Sequence, residues 1–292
     1  MKKIVLLFAF LLFEGTSFPD VKVVATTTVI YDLVKQVGGE KVTVDYLCRG
    51  DQDPHFLEVL PSYMLKIRKA DIMFEIGLGL ELWAPQLIDG SRNSNLKLID
   101  LSSGINKKDV PAGKIDASQG DIHPYGNPHY WLDPNNAKIM AKEILDALAD
   151  ADADNFNYYN SNYEKFISRL DEKIKQWESL MSKVKGKPVI FFHASWVYFA
   201  DHFGIKIGGY VEPKPGIPPT PSHNAEVINL IKKNNIKFIV MENFYSDNAP
   251  RQIASATNVK IIKVAVAPFG MEKINNYIDM MDYIINKFSE NI

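Results

Sequence analysis

A chain of 292 residues with 46% apolar and 11% aromatic side chains can build a full hydrophobic core, in one large domain or two lobes, which excludes a disordered polymer. A net charge of −2 without a clustered Lys/Arg face excludes nucleic acid as a partner. A single cysteine, Cys48, excludes an intrachain disulfide, so stability must come from the core.

The chain opens with Lys2 and Lys3, an unbroken apolar run from Ile4 to Phe13, and then Gly15, Thr16 and Ser17. This is the layout of a secretory signal peptide over residues 1–18, cleaved near Ser17 or Phe18; the run is too short to span a membrane. Cys48 lies far from this segment, so it is not the acylated cysteine of a lipoprotein, and the expected location is free in a periplasm.

From Val21 onward short apolar runs alternate with helical stretches. Strands are expected over 22–28, 41–48, 71–76 and 96–101, with helices over 29–37, 61–70 and 81–88 between them. The second half repeats the pattern, with strands over 188–192, 205–211, 237–241 and 260–266 and helices over 195–203, 222–234, 250–257 and 272–288. Such alternation predicts an α/β fold of two Rossmann-like lobes, each a mainly parallel four-stranded sheet with helices on both faces. Tyr159, Tyr163, Phe166, Ile167, Leu170, Ile174, Trp177, Met181 and Val184 recur at steps of three and four, one apolar stripe on a single long helix. At 1.5 Å per residue that helix is a rod of roughly 39 Å, long enough to link two stacked lobes and stiff enough to limit their motion. The expected domains are an N-terminal lobe over 19–150, the linking helix over 151–186 and a C-terminal lobe over 187–292.

Three of the six histidines stand where a strand gives way to a loop, beyond the carboxyl ends of strands where open α/β sheets bind ligands. His55 follows the strand ending at Cys48, His129 lies past the strand over 96–101, and His193 ends the run Val189-Ile190-Phe191-Phe192. Two come from the first lobe and one from the second, so one ion can sit between lobes. Neutral imidazoles suit zinc, copper, iron and nickel, and three of them form a zinc core. A lone histidine at a strand end is ordinarily a hydrogen-bonded surface residue; the case rests on the set and on the prolines preceding His55 and His129.

The residues around these histidines carry a family likeness. Asp53-Pro54-His55 with Glu58, His129-Tyr130-Trp131-Leu132-Asp133-Pro134, and Phe192-His193-Ala194-Ser195-Trp196 with Tyr198-Phe199-Ala200 resemble, in order, the three ligand motifs of the cluster A-I solute receptors of zinc and manganese ABC importers, the ZnuA and TroA type. The resemblance runs from about Val21 to the C-terminus. It implies a periplasmic, non-enzymatic receptor that binds a divalent metal with His55, His129 and His193 and delivers it to an integral-membrane permease; a single exposed cleft and a solvated linker favour a monomer. Three imidazoles favour zinc, with manganese the other ion of the family.

The sequence departs from the pattern in two places. The family's fourth ligand, a late aspartate, has no counterpart near Ala267, which leaves water, Glu242, His223 or Asp247 for that position. Residues 212–221 hold five prolines and read as a stiff lid, a docking surface or a plain rigid loop. The stretch from Lys114 to Pro128 contains only His123, so no accessory metal-gathering loop is expected, and His202 beside Asp201 reads as a surface residue. Two other functions fit three histidines: a receptor for a chelated metal, and a zinc hydrolase with Glu58 or Glu242 as base.

Overall fold

The computed structural model describes residues 21–113 and 123–291. The signal segment expected over residues 1–18 lies outside the described residues, as do residues 114–122 of the short stretch before His129.

Thr27 ends the first strand, β1 (Val21–Thr27), and its side chain accepts from the Ile30 amide to cap α1 (Thr28–Gly38). β2 (Val42–Cys48), α2 (Pro61–Arg68), β3 (Ile72–Glu75), α3 (Ala84–Ser91) and β4 (Lys97–Asp100) complete the first lobe's sheet, paired in the order β2-β1-β3-β4 with every pair parallel. The second lobe repeats the plan: β5 (Pro188–Phe191), α6 (Val197–Phe203), β6 (Lys206–Tyr210), α7 (Pro221–Asn234), β7 (Phe238–Glu242), α8 (Asn248–Thr257) and β8 (Lys260–Val264), ordered β6-β5-β7-β8 and again all parallel. In each sheet the order reverses beside the first strand, the switch point at which such sheets leave a crevice beyond the strand ends.

Between the lobes run α4 (Pro134–Ala151) and the long helix α5 (Phe156–Met181), and the chain closes with α9 (Tyr277–Asn291). The α5 stripe is realised: Tyr159, Phe166, Leu170, Ile174, Trp177 and Met181 are buried, each contributing roughly 1.5–3 kcal/mol. Trp177 fixes the packing against α9 by donating to Asp282 at 2.7 Å. One core cluster runs through both lobes, from Val23 and Leu33 to Phe191 and Phe199, with α5 and α9 inside it. The lobes are therefore joined by a shared core as well as by a helix.

Three elements depart from the sequence reading for clear local reasons. Helix α4 was not expected, yet Asp133 caps it by accepting from the Asn135 amide and Pro134 opens its first turn. Helix α3 begins at Ala84 rather than residue 81, because the buried Glu81 carboxylate turns back to accept from the Ile76 and Gly77 amides and the Thr26 hydroxyl. Helix α9 begins at Tyr277 rather than residue 272, since Phe269 and Lys273 adopt positive φ, which breaks a helix.

Candidate metal centre

The carboxyl ends of both sheets face one another, and His55, His129 and His193 meet between them. Their ring centroids form a nearly equilateral triangle, 5.1 Å from His55 to His129, 5.2 Å from His55 to His193 and 5.1 Å from His129 to His193. One donor atom from each lies within 4.8 Å of the other two, and all three residues are buried.

Each ring is held by its Nδ1. His55 Nδ1 lies 2.6 Å from Asp53 Oδ1, His129 Nδ1 2.9 Å from Asn127 Oδ1, and His193 Nδ1 2.7 Å from Glu212 Oε2. The Asn127 oxygen is fixed as an acceptor because it also takes the His129 amide. All three partners accept, which places the proton on Nδ1 and leaves the three Nε2 lone pairs to converge on an ion, that of His55 also facing His123 Nε2 at 3.2 Å. Two of the partners are carboxylates, which match a divalent charge and stiffen the rings.

Electrostatics follow the same division. Burial, then the neighbouring His193 and His55, hold His129 well below the usual imidazole range, so it is neutral and ready to ligate. For His193 burial pulls downward, but the hydrogen bond to Glu212 and the charges of Glu242, Glu212 and Asp53 outweigh it, and the net shift is upward. Asp53 is raised by burial, then lowered further by its bonds to His55, and stays ionised.

The rings surround an enclosed cavity of about 10 Å³, closed by Trp131, Phe244, Tyr245 and Val266. That is about one water-sized sphere, room for an ion and little else. The late loop contributes Val266 to this wall where the family's aspartate is missing. Glu242 reaches the cavity: Oε1 accepts from Ser195 and from Trp196 Nε1, while Oε2 has no partner among the described residues, and burial raises the group to about 7.

The other two candidates for the fourth position lie elsewhere. His223 bonds the Tyr210 carbonyl and pairs with Glu226, and Asp247 is tied to Arg251 at the surface. Glu58 is absent from the cavity wall as well. The proline-rich segment does not cover the metal cavity. Its Pro218, Pro219 and Pro221 border a separate groove of about 480 Å³ on the far side of Glu212 and Tyr245.

Two histidines stand differently from the sequence reading. His123 is buried, with Nε2 only 3.2 Å from His55 Nε2. His202 is no surface residue: its side chain is enclosed between Asp133 at 2.8 Å and Glu178 at 3.8 Å.

The seam around the site is dense. Asn127 donates across it to the Ala194 carbonyl, Trp131 to Val266 and Tyr277 to Trp131, so the loop carrying His129 is bonded to the second lobe on both sides.

A two-lobed α/β protein with three oriented imidazoles in its cleft defines a metal-binding receptor, and comparison with known proteins gives its family. The profile of the family described as "ZnuA: Zinc-uptake complex component A periplasmic" matches residues 23–291, and the chain belongs to that family of metal-binding receptors of ABC importers. It is 25% identical over 290 residues to the manganese ABC transporter substrate-binding lipoprotein PsaA of Streptococcus pneumoniae, covering 96% of this chain and 91% of PsaA. It is 26% identical over 283 residues to the metal ABC transporter substrate-binding lipoprotein FimA of Streptococcus parasanguinis, covering 93% and 89%. Among solved structures, a ZnuA crystal structure superposes with a TM-score of 0.80 at 23% identity, covering 93% of this chain and 99% of that one. The Mn-bound periplasmic metal binding protein of Candidatus Liberibacter asiaticus gives 0.78 at 25% identity, covering 92% and 98%. These relatives are transport receptors, not enzymes, and this chain likewise serves an importer with a membrane permease.

Proposed function

We propose that His55, His129 and His193 are the metal ligands and that the cargo is zinc in preference to manganese. The observation that carries this is the common orientation of the rings: every Nδ1 is engaged by an acceptor, so three Nε2 atoms are left to one small cavity. Nitrogen donors favour zinc, whereas manganese prefers oxygen and binds most weakly in the divalent series. A cavity of about 10 Å³ favours a free ion over a chelate, whose organic part it has no room for.

The receptor acts as a monomer in the periplasm and releases its ion when the permease parts the lobes, drawing His193 away from His55 and His129. Among the described residues no helix is long and apolar enough to cross a membrane. The test is metal content of the purified chain with competition titration of the apo form. One zinc per chain is expected, held more tightly than manganese, with binding lost in His129→Ala and His193→Ala. Tight binding that survives both substitutions refutes the site, and preference for manganese refutes the choice of ion. A metal off-rate unchanged by the permease refutes the release step.

A further inference from the structure

Two buried polar groups face the three-histidine set without belonging to it, Glu242 and His123. Glu242 is held through Oε1 by Ser195 and Trp196, and its buried Oε2 has no partner among the described residues. His123 is held differently. Its Nδ1 lies 3.3 Å from the Gly79 carbonyl oxygen, and a carbonyl only accepts, so the proton sits on Nδ1 and Nε2 carries a lone pair. His55 is in the same state, because its Nδ1 donates to Asp53.

Two lone-pair nitrogens therefore stand 3.2 Å apart in residues only 8% and 9% exposed, with rings stacked at 5.1 Å and 30°. With the tautomers that Asp53 and Gly79 set, this contact pairs two acceptors, which a cation between them satisfies; with the other tautomer of His123 it is an ordinary hydrogen bond. Around a tetrahedral ion with metal–nitrogen bonds of 2.0–2.1 Å, any two nitrogens are about 3.3 Å apart. The His55–His123 spacing is thus that of two ligands of one ion.

We propose that His123 is the fourth ligand, so that four imidazoles close the shell that the family closes with a carboxylate. This rests on His55, His129 and His193 being the other three. Their donors form a set within 4.8 Å that does not include His123, so His123 joins the ion from the His55 side, its ring 6.0 Å from that of His129. A shell of four neutral nitrogens sharpens the preference for zinc over manganese. His123 is joined to the His129 motif by a short turn closed by the Gly126 amide on its carbonyl, which keeps it beside the centre.

The experiment is X-ray absorption on the zinc-loaded full chain, with competition titration, for the wild type, His123→Ala, His123→Gln and His193→Ala. Four imidazoles are expected in the wild type and three in both His123 variants, whose Kd rises about 10–100-fold; the glutamine variant serves if the alanine variant folds poorly. Three imidazoles in the wild type, or a Kd within twofold in a folded His123 variant, overturns the proposal. If that happens while His193→Ala still abolishes binding, only the fourth ligand falls. If His193→Ala binds normally, the three-histidine site falls with it.

Discussion

Glu212 sets both the direction and the basicity of His193, and removing it tests the logic of the site. In Glu212→Ala the His193 Nδ1–H, in a residue 3% exposed, loses the acceptor 2.7 Å away. A buried donor left unmet costs about 1–3 kcal/mol. The loss measured when such outer partners of metal-bound histidines are removed is about 10–100-fold in affinity, which is roughly 1.4–2.7 kcal/mol, so two independent routes agree. Glu212→Gln keeps an oxygen for Nδ1–H but not the charge, and its loss should be smaller, about 3–10-fold, since a charge-assisted hydrogen bond is roughly twice as strong as a neutral one. The pH dependence separates the two effects. Glu212 raises His193, so protons compete with the metal from above the usual imidazole pKa in the wild type; without the charge that competition moves to lower pH. The deficit of Glu212→Gln should therefore be largest near pH 8 and narrow toward pH 6. Competition titration with a chromophoric chelator at several pH values reads both. An alanine variant within twofold of wild type, or a glutamine deficit that widens on acidification, refutes the reasoning.

Gly50 and the 268–270 loop pack backbone to backbone across the lobes: a Cβ on Gly50 would lie 2.0 Å from the Pro268 carbonyl oxygen and 2.6 Å from the Gly270 amide. Gly50→Ala should cost about 1–3 kcal/mol in denaturant unfolding and weaken metal binding by wedging the cleft; unchanged values of both would contradict that contact. Trp177→Ala removes the buried anchor of α5 on α9 and should cost about 3–5 kcal/mol by the same assay, with metal affinity of the folded fraction preserved. Burial, against its hydrogen bonds from Thr26 and Ile76, raises Glu81 to about 8. The fold then holds a proton that the unfolded chain releases near its ordinary 4.5, so this contribution is complete at low pH and fades until it is gone above about 8. Apo-protein stability should fall from pH 5 to 8 through this group, and Glu81→Gln should flatten that slope in thermal melts.

Most of the fold was legible because strands buried on both faces are continuous apolar runs, and every sheet strand was placed to within two residues at either end. The α5 stripe was legible for the same reason, a period that only a helix satisfies. Helix α4 escaped because Asp133-Pro134 was absorbed into the histidine motif, although Met140, Ala141, Ile144, Leu145 and Leu148 behind it carry a helical period and are buried. The three cavity histidines could be named from local motifs, but their orientation only partly. Asp53 and Asn127 lie two residues before the rings they hold, whereas Glu212 is 19 residues from His193 and reaches it only through the β5–β6 pairing. His123 was invisible as a site residue because its two partners, Gly79 and His55, are 44 and 68 residues away. A solitary histidine with such distant partners leaves no periodic or spacing signal. His202 was misread for the same reason, since Asp133 and Glu178 come from other elements.

The placement of the ring anchors has a consequence for exchange of the ion. Asp53 and Asn127 travel with His55 and His129, and Glu212 travels with His193. Each half of the centre is thus a finished fitting, its imidazoles aimed before any ion arrives and still aimed after one has left. Parting the halves changes only the gap between them. In the proposed cycle, loading and unloading are then matters of distance for these three rings, which their own anchors keep aimed between one cargo and the next.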